Sequence, residues 1–134
     1  MSMFSIFNVS GSAVSAQAQR LNVVASNLAN ADAVAGPDGK GYKGRQVVFE
    51  TVPMGSEASA GVKVNAIKES QEPSRKLHNP AHPSADADGY VTYSNVNPVE
   101  EMVNMISASR SYQNNVEVMN TAKTLLLKTL QMGQ

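Results

Sequence analysis

The first part of the chain carries apolar and small residues at helical spacing. Small residues alternate with larger apolar ones along this stripe, which would let a partner helix approach closely. The pattern predicts a helix from about residue 8 or 10 to about residue 33, ended by the breaker pair Gly36-Pro37. Steps of three and four residues pick out Phe4, Phe7, Gly11, Val14, Ala18, Leu21, Ala25 and Leu28.

The last part of the chain carries a second helical stripe. It opens on Asn97-Pro98-Val99-Glu100, where an N-cap Asn, a Pro at the first helical position and a Glu two residues later predict a helix start. The register lasts to Gly133, so about 35 residues at about 1.5 Å each give a helix of about 50 Å. The stripe contains two polar residues and reads Met102, Met105, Ser109, Tyr112, Val116, Met119, Lys123, Leu126 and Leu130.

Between these helices the pattern changes to strands and turns. Arg45–Val52 and Gly61–Lys68 are rich in β-branched residues, and Tyr90–Tyr93 is a third short candidate strand. The sequence therefore predicts an α+β fold with three segments. Residues 1–36 hold the N-terminal helix, 37–96 a small irregular β-rich middle, and 97–134 the C-terminal helix. The two helices are expected to pair as an antiparallel, coiled-coil-like bundle and form one assembly domain.

The first helix raises a problem of solvation. Between Asn8 and Ala31 the only ionised side chain is Arg20, although charged residues make up 16% of the chain. Packing the two helices together buries one stripe on each, and a short middle segment cannot cover the rest. An uncharged helix face is poorly suited to bulk water. Neighbouring copies or other subunits are therefore expected to cover it.

Composition removes several classes of function. The formal net charge is zero, so nothing electrostatic favours nucleic acid as a partner. There is no cysteine, which excludes disulfides, thiolate catalysis and cysteine-based zinc sites. No apolar run reaches the roughly 18–20 residues of a membrane span, so direct membrane insertion is not expected. The start, MSMFSIFNVSGSA, lacks the basic and apolar regions of a Sec signal peptide, so any export uses another route.

Two clusters resemble chemical sites only superficially. Gly36, Gly39, Gly41 and Gly44 lack the Lys and Ser/Thr that complete a phosphate-binding loop, and they predict a flexible connection. His78, His82, Asp86 and Asp88 suggest a metal site, but Pro80 and Pro83 prevent the helix that would bring both histidines together. The Asp residues are interpreted as turn formers. We expect no cofactor, no metal and no enzyme activity, with a small metal-dependent hydrolase at His78 and His82 as the alternative from another class.

Several motifs carry a family resemblance. SNLANAD followed by GYKGRQVVFE, and HPSADADGYVTYSNVN followed by SASRSYQNNVEVMNTAK, resemble the bacterial flagellar rod and hook proteins over nearly the whole chain. The resemblance is greatest to proteins of the proximal rod. It implies a structural subunit of the basal-body rod, exported through the flagellar type III apparatus. Such a subunit assembles helically in the periplasmic space with other rod proteins and copies of itself to transmit torque.

The resemblance implies that the two terminal helices pair, and the helical register then suggests roles for individual residues on them. One set is expected to pack the helices together within a subunit: Val14, Ala18, Leu21, Ala25, Leu28, Tyr112, Val116, Met119, Leu126 and Leu130. A polar set is expected to contact neighbours: Gln17, Asn22, Ser26, Asn27 and Asn30. The alternative function is a soluble helical adaptor, or a partner of the export apparatus, that pairs through the same helices.

Overall fold

A computed structural model describes residues 3–55 and 58–133 of the chain. Two long helices enclose a strand-containing middle segment in the sequence, which confirms the predicted α+β class. The outermost residues of the predicted terminal segments, Met1, Ser2 and Gln134, lie outside the described residues. In chain order the elements are α1 (Met3–Ala29), β1 (Arg45–Pro53), β2 (Ala60–Glu69), β3 (Lys76–His78), β4 (Tyr90–Thr92) and α2 (Pro98–Met132).

The start of α2 follows the capping signal in the sequence. The Asn97 side-chain oxygen accepts hydrogen bonds from the backbone N–H groups of Val99 (3.1 Å) and Glu100 (3.5 Å). Pro98 begins the helix, where its missing N–H costs no hydrogen bond. At the other end the Gly133 N–H still bonds the Thr129 carbonyl at 3.1 Å. Both predicted ends of this helix are therefore confirmed.

The covered stripe of α2 differs from the predicted one at Met102, Lys123 and Leu130, which are exposed. Ala108 (0% exposed) and Ala122 (3% exposed) are buried, whereas Lys123 is exposed and Ser109 is only half-buried. Successive residues on a helix point about 100° apart. The predicted positions Ser109 and Lys123 each follow a buried alanine by one residue, so they lie at the edge of the covered stripe or outside it. The stripe as observed is mostly small and apolar, and its covered polar members lie between residues 101 and 115: Glu101, Asn104, Ser109, Ser111 and Asn115.

Helix α1 ends earlier than predicted. It stops at Ala29, and the chain then extends so that Val34 bridges Tyr93 and the Ala35 N–H bonds the Thr92 carbonyl at 2.8 Å. The carbonyl of Ala31 is taken by the Ser94 hydroxyl at 2.7 Å. These long-range hydrogen bonds replace the last helical ones, so the helix ends before Gly36-Pro37 is reached.

The strands form two separate two-stranded sheets. In the first, hydrogen bonds from Met54 N to Ser59 O (2.9 Å) and from Ser70 N to Gly44 O (2.7 Å) lie at opposite ends of β1 and β2. Both bonds are possible together only if the strands run antiparallel. In the second, β3 pairs antiparallel with β4, with Leu77 opposite Val91. β3 was not predicted, because Lys76–His78 is too short to show an alternating pattern.

The chain divides into two compact units. The first gathers the described residues of Met1–Leu21, Val47–Ala66 and Ile106–Gln134, and its buried residues are small, among them Ala16 and Ala108. The second gathers Asn22–Gln46 and Ile67–Met105, with Val24 and Val91 in its core. The first unit thus holds the beginning of α1 and the end of α2, and the second holds the end of α1 and the beginning of α2.

A close approach in the first unit requires glycine. A Cβ placed on the buried Gly61 in β2 would lie 2.7 Å from the Ser12 hydroxyl oxygen and 2.8 Å from the Met54 sulfur. In the same region the Ser12 hydroxyl donates to the Val9 carbonyl (2.7 Å) and accepts the Val62 N–H (3.1 Å). Only a residue without a side chain lets β2 sit this close to Ser12.

We expect Gly61→Ala to lower the free energy of unfolding by about 1–3 kcal/mol, the usual cost of overpacking. Gly11→Ala is the matched control, because a Cβ at this helical glycine meets nothing within 4 Å. It should raise stability by up to about 1 kcal/mol, since Ala favours the helix. Urea unfolding of both purified variants measures the difference. Equal effects of the two substitutions would contradict the close approach at Gly61.

Candidate assembly site

Asn27 at the end of α1 is the centre of the second unit's polar contacts. Its side-chain oxygen accepts hydrogen bonds from the Tyr42 hydroxyl and the Arg45 backbone N–H, both at 2.9 Å. Its side-chain nitrogen donates to the Arg45 carbonyl at 2.8 Å and to a Glu101 carboxylate oxygen at 3.0 Å. The residue is 1% exposed. A single buried amide, with all four of its usual hydrogen-bonding positions filled, therefore joins α1, the first residue of β1 and the first turn of α2.

The chemistry of Tyr42 supports its role as a donor to Asn27. Burial raises the pKa of the Tyr42 hydroxyl above its ordinary value of 10.0. Arg45 opposes this shift, while Glu101 and Glu69 add to it. An ordinary tyrosine is already protonated at neutral pH, and burial raises the pKa further, so the Tyr42 hydroxyl keeps the hydrogen that it donates to Asn27.

A second group of hydrogen bonds holds the segment before α2 to the rest of this unit. The Asn95 side chain accepts the Gly44 N–H at 2.7 Å and donates to the Glu72 carbonyl at 2.9 Å. The same carbonyl accepts a hydrogen bond from the Lys43 ammonium at 3.2 Å. The hydrogen bond from Gly44 to Asn95 thus joins the GYKGR motif (41–45) directly to the SNVN motif (94–97). This arrangement fixes where α2 begins relative to the end of α1 within the unit.

The outward face of α1 is uncharged along its whole described length. Arg20, its one ionised residue, is half-buried, and its side chain lies 3.5 Å from the Gln17 side-chain oxygen. Among the described residues of α1, no charged side chain is exposed, and whether neighbouring subunits cover this face stays a prediction. The exposed residues of α1 are Phe4, Asn8, Ser15, Gln19, Asn22, Ala25, Ser26 and Ala29.

Helix α2 exposes large apolar side chains near both of its ends. Near its start Val99 is 70% and Val103 61% exposed, with Met102 and Ile106 also exposed. Near its end, every described residue from 123 to 133 is exposed except Leu126, which is half-buried. Apolar area gathered in this way is typical of surfaces that bind other proteins.

The structure corrects three of the predicted site residues. Asn27 was expected to contact neighbours, but its hydrogen bonds are made inside the chain. Ala25 and Leu130 were expected to pack inside, but both are exposed. Ala25 lies beside the covered stripe, which passes through the buried Val24, and Leu130 lies on the uncovered end of α2.

The exposure of the other predicted site residues is compatible with the contact or packing roles expected of them. Asn22 and Ser26 are exposed, and Gln17 and Asn30 are half-buried. The Asn30 side chain donates to the Ser26 carbonyl at 2.8 Å. Which residues of the two helices touch stays a prediction. The remaining helix-packing residues are all half-buried: Val14, Ala18, Leu21, Leu28, Tyr112, Val116, Met119 and Leu126.

The glycine cluster and the His/Asp cluster, which resemble chemical sites in the sequence, contribute to turns and close contacts within the fold. Asp86 accepts the backbone N–H groups of Asp88 (3.0 Å) and Tyr90 (2.8 Å) through one oxygen, which shapes the turn before β4. The His78 ring packs edge-on against Tyr90, with centroids 4.9 Å apart. At Gly41 an added Cβ would lie 2.9 Å from the Tyr93 carbonyl oxygen, so that glycine permits a close backbone approach.

Neither α1 nor α2, over the residues that the structure describes, combines the length and apolar character that crossing a bilayer requires.

Comparison with known proteins gives a consistent result. Residues 7–37 match the family model described as flagella basal body rod protein, and residues 87–132 match the model described as flagellar basal body rod FlgEFG protein C-terminal. The chain is 54% identical to the flagellar basal-body rod protein FlgC of Salmonella typhimurium over 134 residues, which is the full length of both. It is 56% identical to FlgC of Escherichia coli and 55% identical to FlgC of Yersinia enterocolitica, again over the full length of both chains.

The Asn27 contacts predict a specific loss of stability. Asn27→Ala leaves the Tyr42 hydroxyl and a Glu101 oxygen without their partner in a buried site, and should lower the free energy of unfolding by about 2–4 kcal/mol. Asn22→Ala, on the exposed face of the same helix, should change it by less than about 0.5 kcal/mol. Urea unfolding of the two variants compares them directly. A loss at Asn27 no larger than at Asn22 would show that the buried amide does not hold this unit together.

Proposed function

The chain belongs to the FlgC family of flagellar basal-body rod proteins and is a structural subunit of that rod; from this premise we propose that it assembles helically with copies of itself and other rod proteins to transmit torque. The uncharged exposed face of α1 is the observation that carries the proposal. A solitary protein of this kind would be expected to place charged side chains on such a face. Here the exposed positions after Phe4 are amides, hydroxyls and alanines, which suit hydrogen-bonded and close-packed contacts with neighbours.

The apolar ends of α2 support the same conclusion. Val99 and Val103 near its start, and Leu130 and Met132 near its end, expose area that water disfavours. In an assembly these side chains are covered by other subunits. Two distinct surfaces on one chain give heterologous contacts, which propagate as an open helix when the rotation does not close.

Torque passes through such an assembly as shear between neighbouring subunits. Long helices resist bending, and small residues such as Ala18 let helices approach closely. We propose that α1 and α2 pair along the predicted packing residues that remain covered, Leu21 and Leu28 among them. Each contact is individually weak, and stiffness comes from their number.

The proposed rod subunit must be exported before it assembles. The family resemblance suggests export through the flagellar type III apparatus and assembly in the periplasmic part of the basal body. The long helical termini suit a subunit that joins its neighbours after leaving the cell interior. In this account the export apparatus is a transient partner, and the rod proteins are permanent ones.

Leu21→Asp tests the proposal in a cell that depends on this chain for swimming. A charge on the half-buried face of α1 should abolish motility and remove the chain from purified basal bodies, because burying an unpaired carboxylate is unfavourable. Leu77→Asp makes the same change on β3 at a position 55% exposed, outside both helices, and should leave swimming intact. Circular dichroism of the purified variants checks that both remain folded.

Wild-type basal bodies provide the companion measurement. The chain should be present at a fixed ratio to the other rod proteins. A folded Leu21→Asp variant that swims normally, or wild-type basal bodies that lack the chain, would overturn the proposal.

A further inference from the structure

An open groove lies beside α1 in the first compact unit. Its volume is about 360 Å³. Residues of α1 form one side and valines of the β1–β2 hairpin form the other. The lining includes Ser15, Ala16, Gln19, Val52, Val62 and Val64. The three valines are half-buried, so apolar surface of the hairpin remains accessible in the single chain.

The groove is apolar and almost without charge. Among the described residues that line it, Lys63 alone is ionised, and the Lys63 ammonium lies 3.4 Å from a Glu50 carboxylate oxygen. Met54, whose flexible side chain adapts to different partners, belongs to the same lining and lies close to Gly61. A charged or strongly polar ligand would gain little from such a surface, whereas leucine and methionine side chains would bury apolar area in it.

The same chain carries a segment with the matching chemistry. At the end of α2, Leu125, Leu127 and Leu130 are 48%, 49% and 59% exposed, and Met132 is 88% exposed. Since these side chains are exposed in the single chain, they do not fill its own groove. A helix end with leucines on several sides can insert apolar side chains into a shallow groove without first rearranging.

We propose that the groove beside α1 receives the last turns of α2 from a second copy of the chain. This inference rests on the proposed function and specifies one of its contacts. The contact joins two different surfaces, groove and helix end, so each copy offers one of each. Repetition of such a heterologous contact extends an assembly instead of closing a dimer.

The size of the contact predicts its strength. A helix end of about ten residues is about 15 Å long, and it covers less than the roughly 800 Å² per partner of a standard stable interface. A single groove contact therefore holds two free copies only weakly. Within the rod, other contacts hold the copies side by side, and the effective concentration of the helix end becomes high.

Disulfide cross-linking tests this contact directly, because the natural chain has no cysteine. Ser15→Cys places a thiol on the exposed wall of the groove, and Gln131→Cys places one between the apolar residues of the helix end. The two single variants are produced together in one cell and basal bodies are purified and oxidised. A dimer joined through positions 15 and 131, identified by mass spectrometry, can then arise only between copies.

Two further variants make the result specific. Glu117→Cys, exposed in the middle of α2, replaces Gln131→Cys as a positional control and should give no dimer with Ser15→Cys. Adding Leu130→Asp to Gln131→Cys should lower the yield of the 15–131 dimer about tenfold, the change expected when one buried leucine contact is lost.

The outcomes separate this inference from the proposed function. If the chain is present in basal bodies but position 15 cross-links to another protein, to its own position in a second copy, or to nothing, the groove contact is wrong and the rod function stands. If both variants are absent from basal bodies while the natural chain is present, the substituted surfaces are needed for incorporation. The purified variants, mixed at high concentration, must then give the 15–131 dimer, and its absence would overturn the contact. If the natural chain itself is absent from basal bodies, both proposals fail.

Discussion

The exposed face of α1 carries no charged side chain, and this determines how the subunit meets water and its neighbours. A helix of 27 residues with one ionised side chain, half-buried, presents water with amides, hydroxyls, methyl groups and, at its start, the ring of Phe4. Such groups lose little when they leave water if hydrogen-bond partners and close packing replace it. The same face would be a poor choice for a protein that works alone, because charged side chains keep helices soluble at little cost. The apolar ends of α2 extend this logic to a second, chemically different surface.

Inside the chain, buried side-chain hydrogen bonds provide the order that a small apolar core cannot provide alone. The second unit places Asn27 where it bonds both backbone groups of Arg45 and the side chains of Tyr42 and Glu101. Apolar residues of similar size would fill the space but would not specify how α1, β1 and α2 meet. Small buried residues, with Gly61 as the extreme case in the first unit, then bring the backbones close together. A subunit held in this way can keep its contact surfaces in register while a load passes through it.

Much of the fold could be predicted because its signals are local. The capping residue Asn97 and the helical spacing that follows it defined α2 at both ends. The β1 and β2 strands were clear from their β-branched residues. The end of α1 was not predictable, because it depends on hydrogen bonds to Ser94 and Thr92, which are distant in the sequence. β3 was missed for the same kind of reason, since three residues carry no pattern and only pairing with β4 makes them a strand.

For the site residues, helical spacing alone was a poorer guide to which side chains are buried. Spacing alone placed Asn27 on an outer polar face, since nothing local distinguishes a buried amide from an exposed one. The distinguishing signal lay elsewhere: Tyr42 and Glu101 are groups that can satisfy a buried amide once the fold brings them to α1. The spacing placed Ala25 in the covered stripe, but the buried residue is Val24, one position earlier and about 100° away around the helix. Where many side chains are small and uncharged, spacing alone does not distinguish two such neighbours. Leu130 continues the spacing of the packed stripe, but it lies in the last part of α2, where nearly every described residue is exposed.

Chemical accessibility of the uncharged face, compared between the free and the assembled protein, shows directly whether neighbouring subunits cover it. Asn22→Cys places a single thiol on that face, and maleimide labelling reports its exposure. The account predicts rapid labelling of the purified chain and strong protection in intact basal bodies, restored when the basal bodies are dissociated. Equal labelling in both states would mean that no neighbour covers this part of the face, which would contradict the account.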